Sequence, residues 1–197
     1  MITWMVFIMP ASVIARISIA ILFLLCSLSV HAESFKVSSA HISKIGNGYV
    51  LNAKIEYPLT DKVIEAIDNS VPIVFSQQLE IIKSIPLLGR YWQWNETLWS
   101  TNIRHKLRYH ALTQQYVLHA LDTNSQRNFP SLISALHALG NIKELTLPPE
   151  YFDQPDNLIF QLRSGIDLHA LPTPMRPGAL ISSKWQLTSP WVEAQWD

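Results

Sequence analysis

Cysteine is almost missing from this 197-residue chain: there is one, Cys26, and it lies inside an apolar N-terminal run. With that run removed, the remainder holds no thiol, which excludes disulfides, thiolate-ligated metals and a cysteine nucleophile. Glycine is scarce too, at 6 residues, and no G-x-S-x-G, S-x-x-K or glycine-rich phosphate loop occurs. Neither sign of charge is in excess. Lys+Arg and Asp+Glu number 15 each, so the formal charge is zero and the electrostatic warrant for a nucleic-acid partner is lacking. Charged residues make up only 15% of the chain, and it carries seven Trp, a balance that a disordered polymer does not show.

What is present begins with a leader. Ile17 to Val30 is a 14-residue apolar run preceded by Arg16 and followed by Val30-His31-Ala32. A basic residue, a short hydrophobic region and small residues before a cut after Ala32 are the pattern of a secretory signal peptide. A membrane-spanning helix needs roughly 20 apolar residues, and Pro10 and Arg16 interrupt any extension toward Met1. Residues 1–32 are therefore expected to be a signal peptide, or an anchor to the inner membrane if left uncleaved; a start at Met9 would give it an ordinary basic n-region. Either way residues 33–197 are expected outside the cytoplasm, with 14 Lys+Arg against 15 Asp+Glu once Arg16 is gone.

Those residues read as a single β-rich domain. Phe35 to Ile42 and Tyr49 to Tyr57, joined by Gly46-Asn47-Gly48, form a predicted hairpin, and the second run alternates apolar and polar residues. Val63, Ile64 and Ile67 after Thr60-Asp61 predict a short helix to Asn69. Val71 to Lys83 returns to strand, with Ile73, Phe75, Gln77, Leu79 and Ile81 on one face. Pro86 to Trp99 reads as an aromatic connection, followed by a hairpin of Ile103 to Leu112 with Gln115 to Leu121. Asp122 to Asn128 reads as a polar loop, and Pro130 to Gly140 as a second short helix. The last third reads as extended: Leu158 to Leu168, Ala179 to Leu187 and a tail from Trp191 to Trp196. The expectation is mainly β, an antiparallel β-sandwich or open barrel of about seven strands with two short helices.

Two features point to binding. Arg104, Lys106, Arg108 and His110 occupy alternate positions of one predicted strand, so their side chains form a row on one face. Such a row suits an anionic membrane surface or an acidic envelope protein, although it also serves as an ordinary solvated face that discourages edge pairing. Trp92, Trp94 and Trp99 offer indole planes for glycan or small-ligand stacking, and equally the bulk of a small β core. The histidines show no metal-ligand spacing; His105 and His119 are candidates to meet across the hairpin, but no carboxylate on those strands supports a metal site there. Asp153, Asp156 and Asp167 are close in sequence, but Asp153 and Asp156 fall in a proline-bearing loop where Asp commonly makes turns. No catalytic, cofactor or metal residue is expected.

A wider pattern runs through Leu107-Arg108-Tyr109-His110-Ala111-Leu112, Gln115-Tyr116-Val117, Arg127-Asn128-Phe129-Pro130-Ser131-Leu132 and Leu139-Gly140. It continues through Leu162-Arg163, Leu171-Pro172, Arg176-Pro177, Ser182-Ser183, Trp185 and Trp191. This set resembles the proteobacterial family catalogued as domain of unknown function 4390. The resemblance implies a small exported or membrane-attached protein of Gram-negative bacteria and carries over no catalytic residue or cofactor. Together, these readings favour a non-catalytic periplasmic interaction module; a glycan or small-ligand binder is the alternative, and an envelope-polymer hydrolase a third.

Overall fold

The computed structural model describes residues 34–86, 93–152 and 158–196. The chain divides between Ala32 and Glu33, and the description concerns the part that follows. It is mainly β: ten strands in two separate sheets, with three α-helices among the described residues. The four-stranded sheet has the order β10-β1-β2-β7 and the six-stranded sheet β6-β5-β4-β3-β8-β9. Neither closes into a barrel, and the arrangement of two sheets is sandwich-like.

Strands β1 (Lys36–Ile45) and β2 (Gly48–Glu56) form the predicted hairpin, and Gly46 at its turn has φ of 60°, where a side chain would be strained. Helix α1 (Asp61–Asp68) buries Val63, Ala66 and Ile67. Strand β3 (Ile73–Pro86) is central and pairs with β4 (Gln93–His110) and β8 (Leu158–Ile166). Its predicted inner face holds, since Ile73, Phe75, Gln77, Leu79 and Ile81 are all buried. Strand β5 (Gln115–Ala120) completes the second predicted hairpin. Helix α2 (Leu132–Gly140) is capped by Ser131, whose side chain accepts from the Ser134 amide while the Ser134 hydroxyl bonds back.

Four expectations are corrected. The aromatic connection before Trp99 is strand from Gln93 onward, paired with β3 past a bulge between Ile81 and Ile82 that leaves Leu98 without an opposite residue. The polar loop contains β6 (Ser125–Phe129), an edge strand whose polar residues hide its pairing with β5. Strand β7 (Asn141–Leu147) had no reading of its own, because a register shift on β2 and Glu144 at φ of 49° break its period of two. Within the stretch expected to extend from Ala179, α3 (Arg176–Ile181) starts with Pro177 at a first-turn position, where a missing N–H costs nothing. The tail is two short strands, β9 (Val192–Glu193) on β8 and β10 (Gln195–Trp196) parallel to β1.

The core lies between the sheets. Phe35 meets Tyr57 edge-on at 4.8 Å between ring centroids and stacks on Phe75 at 6.0 Å, while Tyr57 meets Phe75 at 5.3 Å. Inside this apolar layer runs a polar chain. Gln77 Nε2 donates to the Tyr57 hydroxyl at 2.9 Å, Tyr57 and the Ser164 hydroxyl share a bond of 3.0 Å, and Ser164 donates to the Ser76 carbonyl. Gln77 also donates to the Leu139 carbonyl at 2.9 Å, meeting one of the acceptors that the end of α2 leaves open. Next to it, a Cβ on Gly140 would overlap the Ile55 carbonyl oxygen, so only glycine lets α2 approach β2 this closely.

Candidate functional site

The outer face of the six-stranded sheet carries the predicted basic row. On β4, Leu107 is buried while Arg104 and Arg108 are exposed and Lys106 and His110 half-buried, as alternation requires. The register sets their neighbours: Arg104 beside Ser76, Lys106 between Val74 and His119, Arg108 beside Val117, His110 beside Gln115. Val74 and Val117, the register partners of Lys106 and Arg108, are buried although they face away from the sandwich core. Among the described residues, none of Arg104, Lys106 and Arg108 forms a side-chain ion pair.

The basic row leads into a polar cleft of about 430 Å³ on the same face, lined by Ser76, Gln78, Asn102, Arg163, Asp167 and His169. Ser76 donates to Asn102 at 2.6 Å, and Arg163 Nε donates to Gln78 at 2.6 Å while its guanidinium stacks 4.5 Å from the Trp191 ring centre. The Asp167 carboxylate is engaged locally, accepting from the amides of His169 and Ala170. Sequence reasoning missed this continuation across strands. Its signal is the same period of two that marked β4, in Ser76 and Gln78 of β3 and Gln161 and Arg163 of β8.

Residues 32–195 match the family described as Domain of unknown function (DUF4390). The chain belongs to that family. No curated protein and no solved structure matches it.

The aromatic part of the expected surface does not join the basic part in this DUF4390 protein. The bulge at Leu98 shifts parity, so Trp94, opposite Ile85, and Trp99, opposite Ile81, both fall on the side of β4 away from the basic row. Trp99 is half-buried against the core, and Trp94 is 62% exposed. Trp92 lies outside the described residues, as do Asp153 and Asp156. The two histidines do not meet either: His105 is opposite Ala120 on the inner face, while His119 is opposite Lys106 on the outer one, bonded to Asn124 at 2.8 Å. Among the described residues no group of three or more metal-ligating side chains comes together. No described helix is long and apolar enough to cross a membrane, which says nothing of spanning strands.

Proposed function

We propose that this DUF4390 protein is a non-catalytic interaction module of the cell envelope, which docks the outer face of its six-stranded sheet on an anionic membrane surface. One observation carries the reading: Arg104, Lys106 and Arg108 stand in a row and form no side-chain ion pair among the described residues, with one carboxylate, that of Asp122, held at the backbone amide of Arg104. Alternate residues of a strand are roughly 7 Å apart, within a Debye length of about 8 Å at physiological salt, so the three charges act as one patch. At about 1 kcal/mol for each cation near an anionic bilayer, they supply roughly 3 kcal/mol, or on the order of a hundredfold in affinity. The hairpin beyond His110 adds an apolar tip, Leu112, which is 93% exposed. The leader expected in residues 1–32 would deliver the domain to such a surface.

Co-sedimentation with vesicles containing phosphatidylglycerol, against vesicles of phosphatidylcholine alone, tests the reading. Binding should require the anionic lipid, weaken at high salt and fall by more than about a hundredfold when Arg104, Lys106 and Arg108 are all changed to Glu, since reversal adds repulsion to the lost attraction. A correctly folded triple variant that binds as the wild type does would remove this face from the function.

A further inference from the structure

Hydrogen-bond donors and acceptors are unevenly used in the polar cleft. One cross-strand rung on the outer face of the six-stranded sheet consists of Asn102 on β4, Gln78 on β3 and Arg163 on β8. Neighbouring strands lie about 4.8 Å apart, so the rung is roughly 10 Å wide between its outer Cα atoms. All three residues line the cleft of about 430 Å³. Arg163 Nε donates to Gln78 Oε1 at 2.6 Å, and Ser76, on the adjacent rung, donates to Asn102 Oδ1 at 2.6 Å. Both side-chain carbonyls are thereby occupied, and the amide nitrogens point away from these bonds.

What remains on the rung is donors. Gln78 Nε2, Asn102 Nδ2 and the terminal nitrogens of Arg163 have no acceptor among the described residues. They are reachable from solvent: Asn102 is exposed, and no unpartnered nitrogen of the half-buried Gln78 and Arg163 is buried. The guanidinium is also held in place, by Gln78 at one edge and by the Trp191 ring, whose centre is 4.5 Å away. A fork ordered in advance loses little freedom when it meets a ligand.

The nearest carboxylates form no ion pair with Arg163. Glu80 and Glu193 flank Gln161 on the next rung, where Gln161 donates to Glu80 at 3.1 Å. Asp167 lies roughly 13 Å further along the backbone than Arg163, and its Oδ1 accepts from the amides of His169 and Ala170. On the side away from Glu80 the rung is followed by Ser76 and Arg104, the first cation of the basic row.

We infer that this rung is a receptor for one phosphoryl group, whose oxygens are shared between the Arg163 fork and the amide groups of Gln78 and Asn102. A carboxylate has two oxygens, and the guanidinium alone takes both. A phosphoryl group offers three or more, so it can face the fork and the amides together. Repulsion from Glu80 and Glu193 acts on every anion alike, which leaves the amides to discriminate. The group can belong to a free phosphate ester or to a lipid headgroup. In the second case the inference rests on the membrane reading and adds headgroup selectivity to it.

The test follows the side-chain amide resonances of Gln78 and Asn102 in the full-length chain, titrated with sn-glycerol 3-phosphate, inorganic phosphate and acetate at constant ionic strength. Both phosphates should shift them saturably, and acetate should bind at least tenfold more weakly. Gln78→Glu and Asn102→Asp keep the oxygens that accept from Arg163 and Ser76 but replace the donors, and each should weaken phosphate binding at least tenfold. In co-sedimentation, a lipid source predicts that phosphatidylglycerol vesicles are preferred over phosphatidylcholine vesicles carrying equal charge as oleate, and that Gln78→Glu erases the preference. Saturable phosphate binding without that preference assigns the site to a free ester. The inference is overturned if neither phosphate gives a saturable shift, if acetate binds as tightly, or if both stably folded variants bind phosphate as the wild type does. The membrane reading fails separately, through vesicle binding by the Arg104, Lys106 and Arg108 triple variant, and the titrations in solution do not depend on it.

Discussion

Removing one oxygen from the core should expose how the two sheets are held in register. In Tyr57→Phe the ring stays between Phe35 and Phe75, but the hydroxyl that accepts from Gln77 and bonds Ser164 is gone. Gln77 is 2% exposed and Ser164 0%, so water cannot replace the lost partner. Leaving a buried donor unmet costs about 1 to 3 kcal/mol. Ser164 keeps its bond to the Ser76 carbonyl, so the loss falls mainly on Gln77, and we expect about 2 kcal/mol. For a domain of this size that lowers Tm by roughly 4 to 8 °C. The assay is urea and thermal unfolding of Tyr57→Phe, Gln77→Leu and the double variant. Since the orphaned N–H is absent from the double variant, its destabilisation should fall short of the sum of the singles by about 1 kcal/mol. Additive losses, or a neutral Tyr57→Phe, would refute the view that this chain of hydrogen bonds fixes the docking of the sheets.

Three further outcomes follow from the same structure. Gly140→Ala places a methyl group against the Ile55 carbonyl, and should cost on the order of 3 kcal/mol in urea unfolding, with an unchanged midpoint contradicting the close approach. Burial raises the Tyr57 pKa to about 12, so the folded state holds a proton that the unfolded chain releases near pH 10; stability should fall between pH 10 and 12 by roughly 2 to 3 kcal/mol more in the wild type than in Tyr57→Phe. For His105, whose pKa is lowered chiefly by burial, the unfolded chain takes up the proton first, so its contribution is present above pH 6.5 and lost on acidification below it. His105→Gln should flatten that part of the stability profile, as followed by thermal melts from pH 4 to 7; an unaltered slope would show that the ring is not desolvated.

The legible parts of the fold are those where one side chain in two meets the core. The β1-β2 and β4-β5 hairpins, the inner face of β3 and both early helices follow from unbroken periods and local caps, all within a few residues of sequence. The period fails where the backbone departs from regularity, at Leu98 in β4 and at Glu144 in β7. It fails also where an edge strand such as β6 exposes nearly every residue. The basic row was readable because its four residues share one strand, and its extension to Arg163 was not, because that depends on β8 returning to lie beside β3. The grouping of His105, Asp122 and Arg127 around one concavity was illegible for the same reason, since they come from two strands and a turn, and one of the strands read as a loop. The polar core joins Gln77 to partners 20 and 62 residues away, a relation that no local pattern encodes.

The last few residues, Val192 to Trp196, reach the six-stranded sheet through β9 and the four-stranded sheet through β10. One stretch of five residues thus covers the β1 flank of one sheet and part of the β8 flank of the other, so a chain cut before Val192 would bare backbone donors and acceptors on both sheets at once, ready to pair with other copies.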